Sequence, residues 1–133
     1  MTYLLDTHYM LWSLTDTKKL SKKIKDVITH PENRIVISTF SFWEVSLKAS
    51  IGKIEIKGFA PEDLPDACTQ MGFDIAALGP GEGSSYHKLR ATYHKDPFDR
   101  MLIWIAICND YTLISADNHV KKYTSEGLRI LAA

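Results

Sequence analysis

Short apolar runs recur along this chain: TYLLD (2–6), which ends in an acid, RIVIS (34–38), FDIAAL (73–78) and YTLIS (111–115). They largely lack the polar alternation of a strand with one wet face. Strands read this way when both faces of their sheet are covered. Helical patterns separate them. Leu20, Ile24, Val27 and Ile28 share one face of LSKKIKDVITH (20–30), with lysines opposite. FSFWEVSLKASIG (40–52) predicts a helix closed by Gly52, and PFDRMLIWIAICND (97–110) a strongly apolar one. PEDLPDACTQMG (61–72) predicts a helix opened by Pro61, and PGEGSSYHKLRATY (80–93) a weaker helix. ADNHVKKY predicts a helical turn or short helix and LRILA (128–132) a final strand. Strands and helices in this alternation build a parallel sheet with helices on both faces. The expected fold class is α/β, a three-layer α/β/α sandwich on a parallel sheet of four to five strands. Residues 1–133 are expected to form one domain, as suits the length.

In open parallel sheets, sites form beyond the carboxyl ends of the strands. That rule singles out a set of acids. Asp6 ends the first strand, and Asp117 follows the fourth by two residues. Asp96 and Asp99 open the helix that feeds the fourth strand, and Glu44 lies in the helix after the second. Four separate segments thus bring acids to one edge, and like charges that close require a cation. Without one, at least one acid is expected to hold its proton above the usual carboxylate range through mutual repulsion.

Each acid has a structural alternative. Asp96 followed by Pro97 is the pattern of an N-cap with proline at the first helical position, with metal binding as the other reading. Asp99 either completes a capping box or faces the strand ends. Glu44 shares a stripe with Phe40, Leu47 and Ile51, so it interrupts an apolar face. A capping box from Ser41 would explain it, but Ser38 or Thr39 is an equally good cap and would place Glu44 inside the helix. Asp6 reads equally as a turn residue, with Thr7 capping the next helix, and Asp117 as a cap.

Other chemistries find little support. The five histidines show no HxxxH or HExxH spacing, so zinc is disfavoured. No GxSxG elbow or GxxxxGK[ST] loop is present, and GPGEGSS (79–85) lacks dinucleotide-loop context. Sixteen basic and sixteen acidic residues cancel, which disfavours nucleic-acid binding by blanket electrostatics. Lys18, Lys19, Lys22, Lys23 and Lys25 read as the solvated face of a surface helix. The longest apolar run, Met101 to Cys108, is too short for a membrane span, and no signal peptide is evident at MTYLLDTHYMLW. Cys68 and Cys108 form no metal pattern. Cys108 is expected as a small buried hydrophobe, and a cytoplasmic setting fits.

Oxygen ligands suit hard cations such as Mg²⁺ or Mn²⁺, which activate water in phosphodiester cleavage and bridge to an anionic polymer. At this point LLDTH, the WE of FSFWEVSLKASIGKI, HKDPFDRMLIWIA and LISADNHV resemble the signature blocks of the PIN-domain ribonucleases. The similarity is closest to the VapC-type toxins of toxin–antitoxin pairs and covers nearly the whole chain. It implies metal-dependent RNA cleavage, leaving a 5′-phosphate and a 3′-hydroxyl. It also implies homodimerisation and neutralisation by an antitoxin protein. Residue by residue, it carries the catalytic acids onto Asp6, Glu44, Asp99 and Asp117. Asp6, Asp99 and Asp117 would hold Mg²⁺ or Mn²⁺, and Glu44 would orient a water or ligate the metal. Thr7, Asp96 and Ser115 enter as supporting residues.

Three alternatives stand beside this reading. A PIN-fold module that binds RNA or protein without cutting has no reason to keep four mutually repelling carboxylates. A haloacid-dehalogenase-like phosphatase needs a second acid two residues after the first, where LLDTH offers His8. A receiver domain lacks its acceptor aspartate after the third strand. Phe42, Trp43, Trp12 and Trp104 exceed what one small core buries. They point to a dimer interface and to a groove near the first two helices for an antitoxin segment.

Overall fold

The computed structural model describes residues 1–131. Ala132, expected to close the last strand, lies outside the described residues. The elements are β1 (Thr2–Leu5), α1 (Thr7–Thr15), α2 (Lys22–Thr29), β2 (Arg34–Ser38), α3 (Thr39–Ser50), α4 (Leu64–Gln70), β3 (Asp74–Ala76), α5 (Pro80–Ser85), α6 (Pro97–Asn109), β4 (Thr112–Ile114) and β5 (Arg129–Leu131). All strand pairs are parallel, in the order β3-β2-β1-β4-β5.

The central strands have the most continuous apolar sequence because both of their faces are dry. Tyr3 and Leu5 of β1, with Ile35 and Ile37 of β2, pack under Tyr9, Met10, Ile24, Ile28 and Leu64. Leu4 and Val36 point to the opposite face, where Leu102, Ile103 and Ala106 of α6 cover them with Tyr123. Period two thus feeds two cores, and the α/β/α layering follows. The outer strands are wetter: Asp74 and Ile75 of β3 are exposed, as is Arg129 of β5.

The cap chemistry sets the element ends. Ser38 caps α3 by accepting from the Phe40 N–H at 3.1 Å, so Glu44 lies inside the helix and the Ser41 capping box is discarded. Just beyond α3, Gly52 takes a positive φ of 75°, which a side chain would strain. Asp96 caps α6, accepting from the N–H groups of Phe98 at 2.9 Å and Asp99 at 3.2 Å, and Pro97 takes the first helical position. Lys18, Lys19, Lys22, Lys23 and Lys25 are all exposed, as a solvated face requires.

Several expectations need correction. Asp6, not Thr7, caps α1, since its carboxylate accepts from the Tyr9 N–H at 2.8 Å. Pro61 opens only a 3₁₀ turn (Pro61–Asp63), and α4 follows it. The helix expected over 80–93 ends at Ser85, continues as a 3₁₀ turn (Tyr86–Lys88), and then becomes loop. Cys108 is exposed and Cys68 is the buried thiol, because the buried face of α6 is carried by Leu102, Ile103, Ile105 and Ala106 and does not include Cys108.

Candidate active site

β1 is the third strand of five, and the chain leaves it first towards β2 and later returns on its other side as β4. This reversal opens a crevice beyond the carboxyl ends of β1 and β4. Asp6 follows β1 directly, Ser115 follows β4, and α6 carries Asp99 in its first turn. Asp6, Asp99 and Asp117 line one cavity of about 320 Å³, together with His8, Trp12 and Ala116.

The expected acids do not occupy equivalent positions. Glu44 is buried at 3% exposure, yet it does not line that cavity. One carboxylate oxygen accepts from the Thr7 hydroxyl at 2.6 Å and the other from Lys48 Nζ at 2.5 Å. Its charge is therefore compensated without any metal. It still acts on Asp6 and Asp99 through its field. Thr7 Oγ1 also lies 3.2 Å from Ser41 Oγ, so α1 and α3 are pinned together behind the cavity.

Asp6 is likewise partly satisfied, by the Tyr9 N–H, and the nearby Ser115 hydroxyl favours its ionised form. Burial is nonetheless the largest influence on it and lifts its pKa to about 6. Ser115 is itself buried and accepts from the Asp117 N–H at 3.2 Å, while the Asp6 N–H donates to the Ile114 carbonyl at 3.1 Å and ties the ends of β1 and β4. Asp117 accepts from the His119 N–H at 2.8 Å in a tight turn, which fixes its carboxylate. Asp99 is pushed up to about 7, first by burial and then by Asp96, Asp6, Asp117 and Glu44 in turn. The expected proton retention is present, but desolvation outranks mutual repulsion as its cause. Asp96 spends one oxygen on capping and is exposed, so its effect on Asp99 is that of a nearby negative charge.

Reading the residues in sequence overlooked His94. One ligand atom each from His94, Asp99 and Asp117 lie within 4.8 Å of one another. His94 Nε2 stands 3.7 Å from Asp99 Oδ2 and is buried with no hydrogen-bond partner. The other ring nitrogen lies 3.0 Å from the Tyr123 hydroxyl. Arg100 anchors that hydroxyl. Its buried guanidinium donates to Tyr123 at 2.8 Å, to Tyr86 at 2.9 Å, and to the Leu89 and Ala91 carbonyls. Arg100 thereby folds the loop before α6 back onto the helix, which brings His94 beside Asp99.

This donor set fits a divalent cation. Three ligand atoms converge, a buried nitrogen lacks a partner, and burial raises the pKa values of the nearby Asp6 and Asp99, whose ionised forms a cation would favour.

Residues 3–125 match the family model of the PIN domain. The chain belongs to the PIN domain family. Its fold is shared by solved structures that it matches over 99% of its own length. One is VapBC2 from Rickettsia felis bound to a DNA fragment from its promoter (TM-score 0.69, 17% identity, 98% of that chain covered). Another is DNA-bound VapBC from Salmonella typhimurium (TM-score 0.70, 16% identity, 98% covered). A third is VapBC-1 from nontypeable Haemophilus influenzae (TM-score 0.69, 18% identity, 98% covered). At these identities the likeness is one of fold. No curated protein matches the sequence significantly. No described helix is long and apolar enough to cross a membrane.

Proposed function

We propose that the protein is a metal-dependent endoribonuclease, the VapC-like toxin of a toxin–antitoxin pair. The observation that carries this reading is the convergence of Asp6, Asp99 and Asp117 in one cavity at the switch point of a PIN fold. In the proposed site Asp99 and Asp117 hold Mg²⁺ or Mn²⁺, with Asp6 beside them. When bound, such a cation supplies Lewis-acid activation of water and neutralises charge on the phosphate. Glu44, held by Thr7 and Lys48 outside the cavity lining, contributes a fixed negative charge behind the metal ligands. Ser115 holds the backbone of Asp117, and Asp96 holds the helix end on which Asp99 sits. The cytoplasm is the compartment that fits an RNA substrate.

The surroundings suit an RNA chain. A second cavity of about 490 Å³ shares His8 with the acidic one and is lined by Lys48, Lys53, Asp96 and Phe98. Its lysines can meet a neighbouring phosphate. Phe98, packed against Phe40 and Trp43, offers an apolar face for a base. Purified protein should cut mixed single-stranded RNA when Mg²⁺ or Mn²⁺ is added and stop in EDTA. Lys53→Glu should raise KM about tenfold with little change in kcat. Cleavage that persists in EDTA would remove the metal reading, and an unchanged KM would remove the lysine path.

Partners follow from the same reading. The neighbouring structures are VapBC complexes, and an antitoxin protein is the proposed partner of this chain. The groove between Leu11, Trp12 and Lys19 on one side and Ile54 to Lys57 on the other, about 460 Å³, is its proposed seat. Trp43 is 54% exposed at high aromatic density, and a homodimer through this face is proposed. Sedimentation should return a dimer at micromolar concentration; a monomer there would count against it.

A further inference from the structure

We propose that His94 is a direct nitrogen ligand of the cation, which makes the site a mixed nitrogen–oxygen centre selecting Mn²⁺ over Mg²⁺. This rests on the metal-site part of the function proposed above and deepens it. His94 is the loop residue whose imidazole stands in the metal-ligand cluster, within 4.8 Å of the donor oxygens of Asp99 and Asp117. Its side chain is 11% exposed, and Nε2 is buried with no partner. A buried polar atom of this kind is costly unless something compensates it. Asp99 stands too far, at 3.7 Å, for a hydrogen bond to do so.

The rest of the ring is held as a ligand's would be. A cation at Nε2 requires the ring proton on Nδ1. The Tyr123 oxygen, 3.0 Å from Nδ1, accepts that proton's hydrogen bond, while the phenol hydrogen goes to the His94 carbonyl oxygen at 3.4 Å. Arg100 Nη1 donates to the same oxygen and fixes the phenol. The His119 ring stacks on His94 at 5.9 Å with an interplanar angle of 23° and limits its rotation. Such outer partners orient the imidazole before the cation arrives.

Nitrogen donors change which ion is held. Mg²⁺ demands an oxygen octahedron and keeps its waters, whereas Mn²⁺, also served by oxygen donors, is a transition ion that takes an imidazole nitrogen more readily than Mg²⁺ does. A His94–Asp99–Asp117 set therefore favours Mn²⁺ over Mg²⁺, and His94→Gln should weaken Mn²⁺ about tenfold while leaving Mg²⁺ within about twofold.

The test reads the ligand directly. Pulsed electron paramagnetic resonance of the Mn²⁺-loaded full chain should show imidazole nitrogen coupling. The coupling should change isotope signature in protein grown with ¹⁵N-histidine. It should persist in His8→Gln and His119→Gln and vanish in His94→Gln. Isothermal titration with MnCl₂ and MgCl₂ gives the affinities of the same samples. The ¹⁵N comparison shows whether a histidine ligates, and coupling that persists in His8→Gln and His119→Gln assigns it to His94 even if His94→Gln does not fold. An oxygen-only spectrum in wild type would overturn the proposal, as would coupling that survives in folded His94→Gln, or equal weakening of both ions. Oxygen-only Mn²⁺ in a protein that cuts RNA removes this inference and leaves the nuclease reading intact. Nitrogen coupling in a protein that cuts no RNA does the reverse.

Discussion

Asp99→Asn should lower RNA cleavage by about 10³-fold or more while the protein stays folded. Asp99 sits in the first turn of α6, half-buried in the cavity shared with Asp6 and Asp117. No donor among the described residues satisfies its carboxylate, and the nearest candidate, His94, is 3.7 Å away. Its geometry is therefore of no use to the fold, and asparagine keeps its volume while removing the charge. The substitution should also raise the melting temperature of the metal-free protein, because it removes a carboxyl that burial and four neighbouring acids disfavour as an anion. It should erase most of the stabilisation by Mg²⁺ or Mn²⁺. Asp96→Ala supplies the contrast. It deletes a cap that serves two N–H groups and should cost roughly 0.5–2 kcal/mol, with cleavage largely kept. Single-turnover cleavage and thermal melts of both variants decide the assignment. A folded, inactive Asp96→Ala beside an active Asp99→Asn would reverse it.

Much of this architecture is legible in the sequence because its central strands are dry on both faces. TYLL and RIVIS carry no polar alternation, and they sit side by side in the middle of the sheet. Asp6, Asp99 and Asp117 were locatable because the ends of parallel strands fix where side chains meet. What escaped depends on contacts between distant segments. The stretch 80–93 has residues compatible with a helix, but Arg100 claims the Leu89 and Ala91 carbonyls and pulls the chain out as a loop. His94 was missed for the same reason. Its position follows from the Arg100–Tyr123 anchor and not from any ligand spacing along the chain. A weak local signal existed: His94 stands two residues before the cap of the helix that carries Asp99. Glu44 interrupts an apolar stripe in the sequence, yet Lys48 four residues on already offers it a compensating partner. Cys108 was misjudged because apolar composition alone does not say which face of α6 meets the sheet.

In EDTA, the wild-type protein should lose stability as pH rises from about 4 to about 7, then level off. Asp6 and Asp99 are raised from 3.8 to about 6 and about 7 in the folded state. Between those values and 3.8 the unfolded chain has released protons that the native state still binds. The slope of unfolding free energy with pH is then negative. The stability these groups allow is complete below about pH 4 and lost as pH passes their folded values. For Asp6, buried at 7% exposure, that loss is on the order of 3 kcal/mol. Asp99 is more exposed and its charge is coupled to that of Asp6, so it adds less than its own shift suggests. Together they correspond to a fall of roughly 10 °C in melting temperature for a chain of this size. Carboxylates elsewhere, such as Asp74 paired with Arg34, are common to wild type and variant and cancel in the comparison. Asp99→Asn should flatten the profile, since it removes one titrating group and one of the charges that oppose ionisation of Asp6. Added Mn²⁺ should oppose the decline, because it binds the ionised acids of the folded state alone. At ten times Kd it contributes about 1.4 kcal/mol, and its effect grows with pH as the acids lose their protons. Thermal melts of the two proteins in EDTA and in MnCl₂, from pH 4 to 8, supply the measurement. Parallel profiles in EDTA, or a wild type indifferent to saturating Mn²⁺, would mean that these acids do not act as one metal site.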